Sequence, residues 1–432
     1  MPLLRTTPAI VLTRRIEWGV LGVGLCAILY WAFVSRPGRP GLFARDIVNA
    51  ADMATGAVAP GEIVFLFPTN AGPATLVGSQ QGNGARMPSV LGDTRVLFDG
   101  VPAPLLWAVR GEIAAVVPYE VRTASTTRVV VQYRGRRSVP VSVQVTNSVP
   151  AVFTRDRSGK GQASMLNQTG CCNSENNPAP RGSIGGLYAT GAGQTSPAGI
   201  DGYVVPTLRN IADYGTPRQK VRVTLGGKPA EVLYAGAAPH FVAGLLEVNF
   251  RIPMDSPIGS AVLLVLTVGN TSSPIQVTMA VRSERQRVLV IDNDAAVRDW
   301  YERVLSREGY EVEVARNDED ALARTTGQPV DAVISDVPIA DLPIEASAQT
   351  RVQTLRRIDG AGPQLRIAAT VPALSQNALK SADLLGAQTI FTRPLNPKQV
   401  AARLRTLLKP MPVNYDAPPP DSGFPAYPAQ NR

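Results

Sequence analysis

Four apolar, strand-like runs in the last third of the chain each lead to residues that can bind an ion. Asp292, Asn293 and Asp294 follow the run 287–291 (RVLVI), and Asp336 follows 332–335 (AVIS). Thr370 follows 365–369 (LRIAA), and Arg393 comes just after 389–391 (TIF). Carboxylate and amide oxygens gathered in one place make a hard, oxygen-rich pocket for a divalent ion such as magnesium, which takes few carboxylates and completes its shell with water and phosphate oxygens. Such an ion offsets the charge of an incoming phosphoryl group while a carboxylate attacks it in line.

The elements that must position these residues follow from periodicity. A fifth run, 310–314 (YEVEV), completes the set, and helical segments lie between the runs. The first helix places Val297, Tyr301, Val304 and Leu305 on one face; Asn317 followed by Asp318, Glu319 and Asp320 reads as an N-cap with an acidic first turn. Strands joined by helices at this spacing run parallel and build a doubly wound α/β sheet. Ligands of such sheets sit beyond the carboxyl ends of the strands, which is where the polar residues fall.

This constellation resembles the receiver domains of two-component response regulators, of the flavodoxin-like α/β class, over residues 286–410. The resemblance implies that Asp336, in Ile334-Ser-Asp336, is the phosphoacceptor, and that Asp292, Asn293 and Asp336 are the ligands of a weakly held Mg2+. It makes Thr370 the switch hydroxyl and Arg393 the basic phosphate contact, with a histidine kinase or another signalling protein as partner. The departures bear on the chemistry. Asn293 stands where the family has a metal-ligating Asp, so it brings an amide oxygen without charge. Arg393 replaces the usual Lys, a planar fork in place of a point ammonium. Ile390 stands in for an aromatic switch residue, and Ala340 for a Pro, with Pro338 nearer. Magnesium affinity is therefore expected to be low, which leaves open a pseudo-receiver that imitates one state and acts by contact. A flavodoxin-like domain whose acidic cluster merely persists from ancestry is the plain structural alternative.

Upstream, residues 46–282 alternate apolar and polar residues in short runs broken by Gly, Pro, Asn and Ser, the pattern of half-buried strands joined by turns. The segment 95–108 (RVLFDGVPAPLLWA) recurs as 222–235 (RVTLGGKPAEVLYA), with Ala103 and Ala230 offset by 127 residues. Two copies of one β unit are expected, each a small immunoglobulin-like sandwich, over 46–150 and 214–282, with 151–213 connecting them. The motifs at 46–51 (DIVNAA), 59–64 (APGEIV) and 177–182 (NPAPRG) resemble the repeated β-domain of unknown function found in secreted acidobacterial proteins, the Solibacter type. That likeness implies no chemistry. Glycines such as Gly191 and Gly193 read as turn residues, because no Lys-Ser/Thr pair follows them.

Residues 18–34 (WGVLGVGLCAILYWAFV) are uncharged and apolar, and as a helix reach about 26 Å, close to the hydrocarbon thickness of a bilayer. No small-x-small cleavage site follows, so residues 1–40 are expected to be an uncleaved single-pass membrane anchor and not a removed signal peptide. A chain of 432 residues has room for several domains, and its 38 Gly and 37 Pro call for many turns. A single His and three Cys disfavour zinc sites, disulfide frameworks and His-based triads, so no enzymatic activity is expected. The net charge of +9 comes from scattered Arg, which implies no nucleic-acid partner. Residues 411–432 are Pro-rich and expected to be disordered.

The sequence thus reads as a multidomain, membrane-anchored signal-transduction protein with an all-β body and a C-terminal receiver, in a bacterial inner membrane. Arg14 and Arg15 before the span are matched by Arg36 and Arg39 after it, so charge does not set its orientation. The need for a phosphodonor places the body in the cytosol. The alternative function is an envelope adhesion or scaffold protein whose β units bind a protein or glycan.

Overall fold

Alternation of buried and exposed residues builds the β-rich region. Along Ser125–Tyr133, Thr127, Val129, Val131 and Tyr133 point inward while Ser125, Thr126 and Arg128 face solvent. This strand joins Thr94–Phe98 and Val141–Val145 in one antiparallel sheet. A second antiparallel sheet runs Ile47–Asn49, Ile63–Leu66, Glu112–Val116, Leu105–Val109 and Val77–Gly78. Val64, Leu66 and Ile113 from one sheet bury against Val96, Phe98 and Val129 from the other. The computed structural model describes residues 38–79, 86–168, 170, 172–207, 213–325, 330–337, 344–359 and 365–408. The apolar segment 18–34 expected to span a membrane, Cys26, Cys171, Pro338, Ala340 and the Pro-rich tail lie outside these residues. Among the described residues no helix is long and apolar enough to cross a membrane.

The segment expected to be a second copy is built differently from the first. Its counterpart of Leu105–Val109 is the ten-residue strand Lys228–Ala237, which pairs with Val221–Leu225 on one side and Leu246–Arg251 on the other. One continuous sheet therefore curls around Leu187, Phe250, Leu225 and Leu264. One position contributes to the difference. The first copy has Pro104 where the second has Glu231, and a proline, with no N–H to donate, breaks the strand between Val101–Pro102 and Leu105–Val109. Within residues 151–213, expected to be a β-region connection, Ala151–Val152, Gly161–Gln162, Met165–Asn167, Ala179–Pro180 and Ile184–Thr190 join this sheet, Ile184–Thr190 pairing directly with Leu246–Arg251.

The two β parts also share a core. Ile63, Trp107 and Val116 of the first pack in one apolar cluster with Phe153, Tyr188, Val242 and Leu245 of the second. The Ile63 N–H donates to Thr190 Oγ1 at 2.8 Å. Beside this seam Glu62 is buried; its Oε2 accepts the Ala59 N–H at 2.7 Å, while Oε1 has no hydrogen-bond partner among the described residues. Burial, aided by the charge of Asp52, pushes its carboxyl well above the ordinary range. The folded state thus holds this proton more tightly than the unfolded chain, and the associated stability is present in acid and lost as pH rises through the raised folded value. Glu62→Gln does not titrate, so it is expected to gain about 1–3 kcal/mol over wild type near neutral pH and little in acid. Thermal midpoints of both proteins across that range check this, and a difference that does not change with pH would refute it.

The α/β part follows after Arg282, which pairs with Asp331 at 2.6 Å while the Arg287 N–H donates to the other oxygen of Asp331. Its strands are β1 (Arg287–Ile291), β2 (Glu311–Ala315), β3 (Ala332–Asp336), β4 (Arg366–Val371) and β5 (Thr389–Thr392). Its helices are α1 (Ala295–Arg307), α2 (Asp318–Thr325), α3 (Ile344–Asp359), α4 (Gln376–Leu384) and α5 (Pro397–Leu407). The sheet is parallel throughout, in the order β2-β1-β3-β4-β5. β1 is buried along its whole length because helices cover both faces of the sheet.

Candidate functional site: the carboxyl edge of the parallel sheet

β1 delivers Asp292 to the edge almost fully buried, at 1% exposure. Its Oδ1 accepts the Asp294 N–H at 2.9 Å, and its Oδ2 accepts from Arg393 Nη2 at 2.7 Å. Asp294 itself caps α1 by accepting the Ala296 N–H. Burial, and secondarily the charge of Asp336, raises the Asp292 carboxyl above its ordinary value, against the pull of the Asp294 N–H and Arg393. Asp336 ends β3 in register with Thr370 of β4. Thr370 is buried, and its Oγ1 lies 2.8 Å from the Tyr301 hydroxyl on α1. Asn293 is exposed at the rim, and its carbonyl accepts from Arg298 Nη1, which also bonds the Asp292 carbonyl.

The fold thus brings Asp292, Asp336, Thr370 and Arg393 together, with Asn293 at the mouth. Two further residues take part that sequence reasoning did not assign. Arg351, on α3, donates from Nη1 to Asp336 Oδ1 at 2.8 Å and to Ser335 Oγ at 2.5 Å, and from Nε to Asp318 Oδ1 at 2.5 Å. Its side chain is 7% exposed. Nothing in the periodicity marked it, because which turn of α3 faces the edge depends on how the helix docks. Tyr301 was legible only as a core position; its buried hydroxyl was the available signal, since a buried phenol needs a partner.

The fit to a divalent ion is poor as the residues stand. Both oxygens of Asp292 and Oδ1 of Asp336 are already engaged by protein donors. Among the described residues no group of three or more His, Cys, Asp or Glu side chains is placed to hold a metal. An anion fits better. Arg393 Nε is buried with no hydrogen-bond partner among the described residues, so it is a donor without an acceptor beside the carboxylates.

Residues 288–405, which carry this sheet and edge, match the family model described as the response regulator receiver domain. Those residues are a receiver domain. Over 123 residues the chain is 30% identical to the response regulator MprA of Mycobacterium tuberculosis, an overlap of 28% of this chain and 50% of that protein. The same figures hold for MprA of Mycolicibacterium vanbaalenii. The chain thus spans about half the length of the curated relatives it matches. Among solved structures, the chemotaxis protein CheY4 of Vibrio cholerae is 23% identical, with 29% of this chain and 99% of that one covered and a TM-score of 0.26. A CheY-like receiver domain protein of Methanospirillum hungatei is 21% identical, covering 29% and 94%, with a TM-score of 0.25. Receiver domains in general bind Mg2+ at the phosphorylation site. In this receiver the carboxylates that would do so are held by arginines.

Proposed function

We propose that the chain is a membrane-tethered signal-transduction protein whose receiver takes a phosphoryl group on Asp336, weakly, and acts by protein contact. The donor is a histidine kinase or a small acyl phosphate. The observation that carries this reading is the position of Asp336, at the carboxyl end of the central strand, opposite Thr370 and close enough to Asp292 for their charges to interact. A carboxylate oxygen of Asp336 forms the new P–O bond as the bond from phosphorus to the donor breaks. Arg393 Nε can then donate to a phosphoryl oxygen. The β-rich region, read as a duplicated β-domain of the Solibacter type, serves as the sensing or docking module.

The test uses the full chain recovered from cell membranes and treated with acetyl phosphate. A low yield of phosphoaspartate at Asp336 is expected by mass spectrometry, and none in Asp336→Ala. Absence of the chain from the membrane fraction removes the tether from the proposal. If neither wild type nor a variant with a restored acidic pocket carries phosphate, the phosphoacceptor role is wrong. The pseudo-receiver then stands, and with it the scaffold reading, in which the extensive β-rich region supplies the binding surface.

A further inference from the structure

Both central carboxylates of the receiver edge already have cations that belong to the chain. Arg351 spans three elements: it reaches from α3 to Asp336 at the end of β3 and to Asp318 at the start of α2. It is nearly buried, so it is an internal strut and not a passing surface contact. Arg393 makes the equivalent contact to Asp292 at 2.7 Å. Magnesium demands near-octahedral oxygen coordination at about 2.0–2.1 Å. At Asp336 Oδ1 the ion competes with Arg351 and at Asp292 Oδ2 with Arg393, and while both guanidiniums stay it is repelled by each. Asn293 supplies no charge to tip the balance.

We propose that Arg351 and Arg393 are the resident counter-ions of this site, taking the place of a divalent cation, and that Arg351 is the residue that excludes magnesium. Two guanidiniums carry the same charge as the one ion, in planar forks that suit carboxylates. Because Arg351 also holds Asp318, it ties Asp336 to α2 and α3 without metal. The inference rests on reading Asp292 and Asp336 as the working carboxylates of the receiver.

Isothermal titration of MgCl2 into the full chain, at constant ionic strength, tests it. Wild type is expected to give no saturable heat through the millimolar range. Arg351→Gln is expected to bind at least about tenfold more tightly than any wild-type limit. Arg393→Gln, which frees Asp292 Oδ2 at a more exposed side chain, is expected to move the same way and serves if Arg351→Gln does not fold. Saturable micromolar binding by wild type overturns the proposal, and so do folded variants that bind magnesium no better than wild type. Phosphoaspartate is not the readout: a chain that is never phosphorylated leaves this result standing, and a wild type that binds magnesium tightly leaves Asp336 as a possible acceptor.

Discussion

Asn293→Asp combined with Arg393→Lys is expected to raise the yield of phosphoaspartate at Asp336 on the order of tenfold over wild type, equivalent to about 1.4 kcal/mol. Asp336→Ala on the same background is expected to abolish it. The argument is electrostatic. Asn293 stands at the mouth of the site beside Asp292, so a carboxylate there adds a negative charge and a charged oxygen ligand for a cation, with Arg298, bonded to the Asn293 backbone carbonyl, as its neighbouring counter-charge. Lysine at 393 keeps the positive charge but loses the planar guanidinium whose Nη2 bonds Asp292 Oδ2, which frees an oxygen of that carboxylate. Each change favours an external cation over the internal ones and so lowers the charge barrier to an incoming phosphoryl group. Phosphate-affinity electrophoresis after timed exposure to acetyl phosphate measures the yield. A double variant no better than wild type would mean that neither departure limits the reaction, leaving Arg351 as the remaining obstacle.

Trp107→Ala is expected to destabilise the β-rich region by about 3–5 kcal/mol, the range for removing a large buried aromatic side chain. Trp107 is 3% exposed, and its ring centroid lies 5.4 Å from that of Phe65. It belongs to the cluster that joins the two β parts through Phe153, Val242 and Leu245. Its indole N–H also reaches Glu112. The cavity would open at the seam, so both parts should lose stability together, in a single denaturant transition shifted to lower midpoint. Two separate transitions in wild type, only one of them moved by the variant, would show that the parts fold independently and that the shared cluster adds little.

Much of the receiver was legible because its signals are local. Period-two strands and period-3.6 helices identify a βα alternation, and the polar residues that end the strands must meet at the carboxyl edge once the strands are parallel. In the structure Asp292, Asp336, Thr370 and Arg393 lie at or just past the carboxyl ends of the strands. The β region was legible as strands, but its closure was not. The strand is broken beside Pro104 in one stretch and runs for ten residues through Glu231 in the other, and the first part forms two sheets where the second forms one curled sheet.

By itself the sequence determined which residue types stand at the ends of the strands, because periodicity reports where a run stops and which face is buried. Only the tertiary structure decided what those residues touch. Arg351 lies fifteen residues beyond Asp336, on a helix whose rotation about its own axis is set by packing, and that rotation turns its guanidinium onto the carboxylate. The bond between Tyr301 and Thr370, and the Trp107 cluster across two β parts, arise in the same way. A hydrophobic pattern specifies that a face will be covered, but which element covers it depends on contacts distant in the chain, and so therefore does the charge that each buried carboxylate meets.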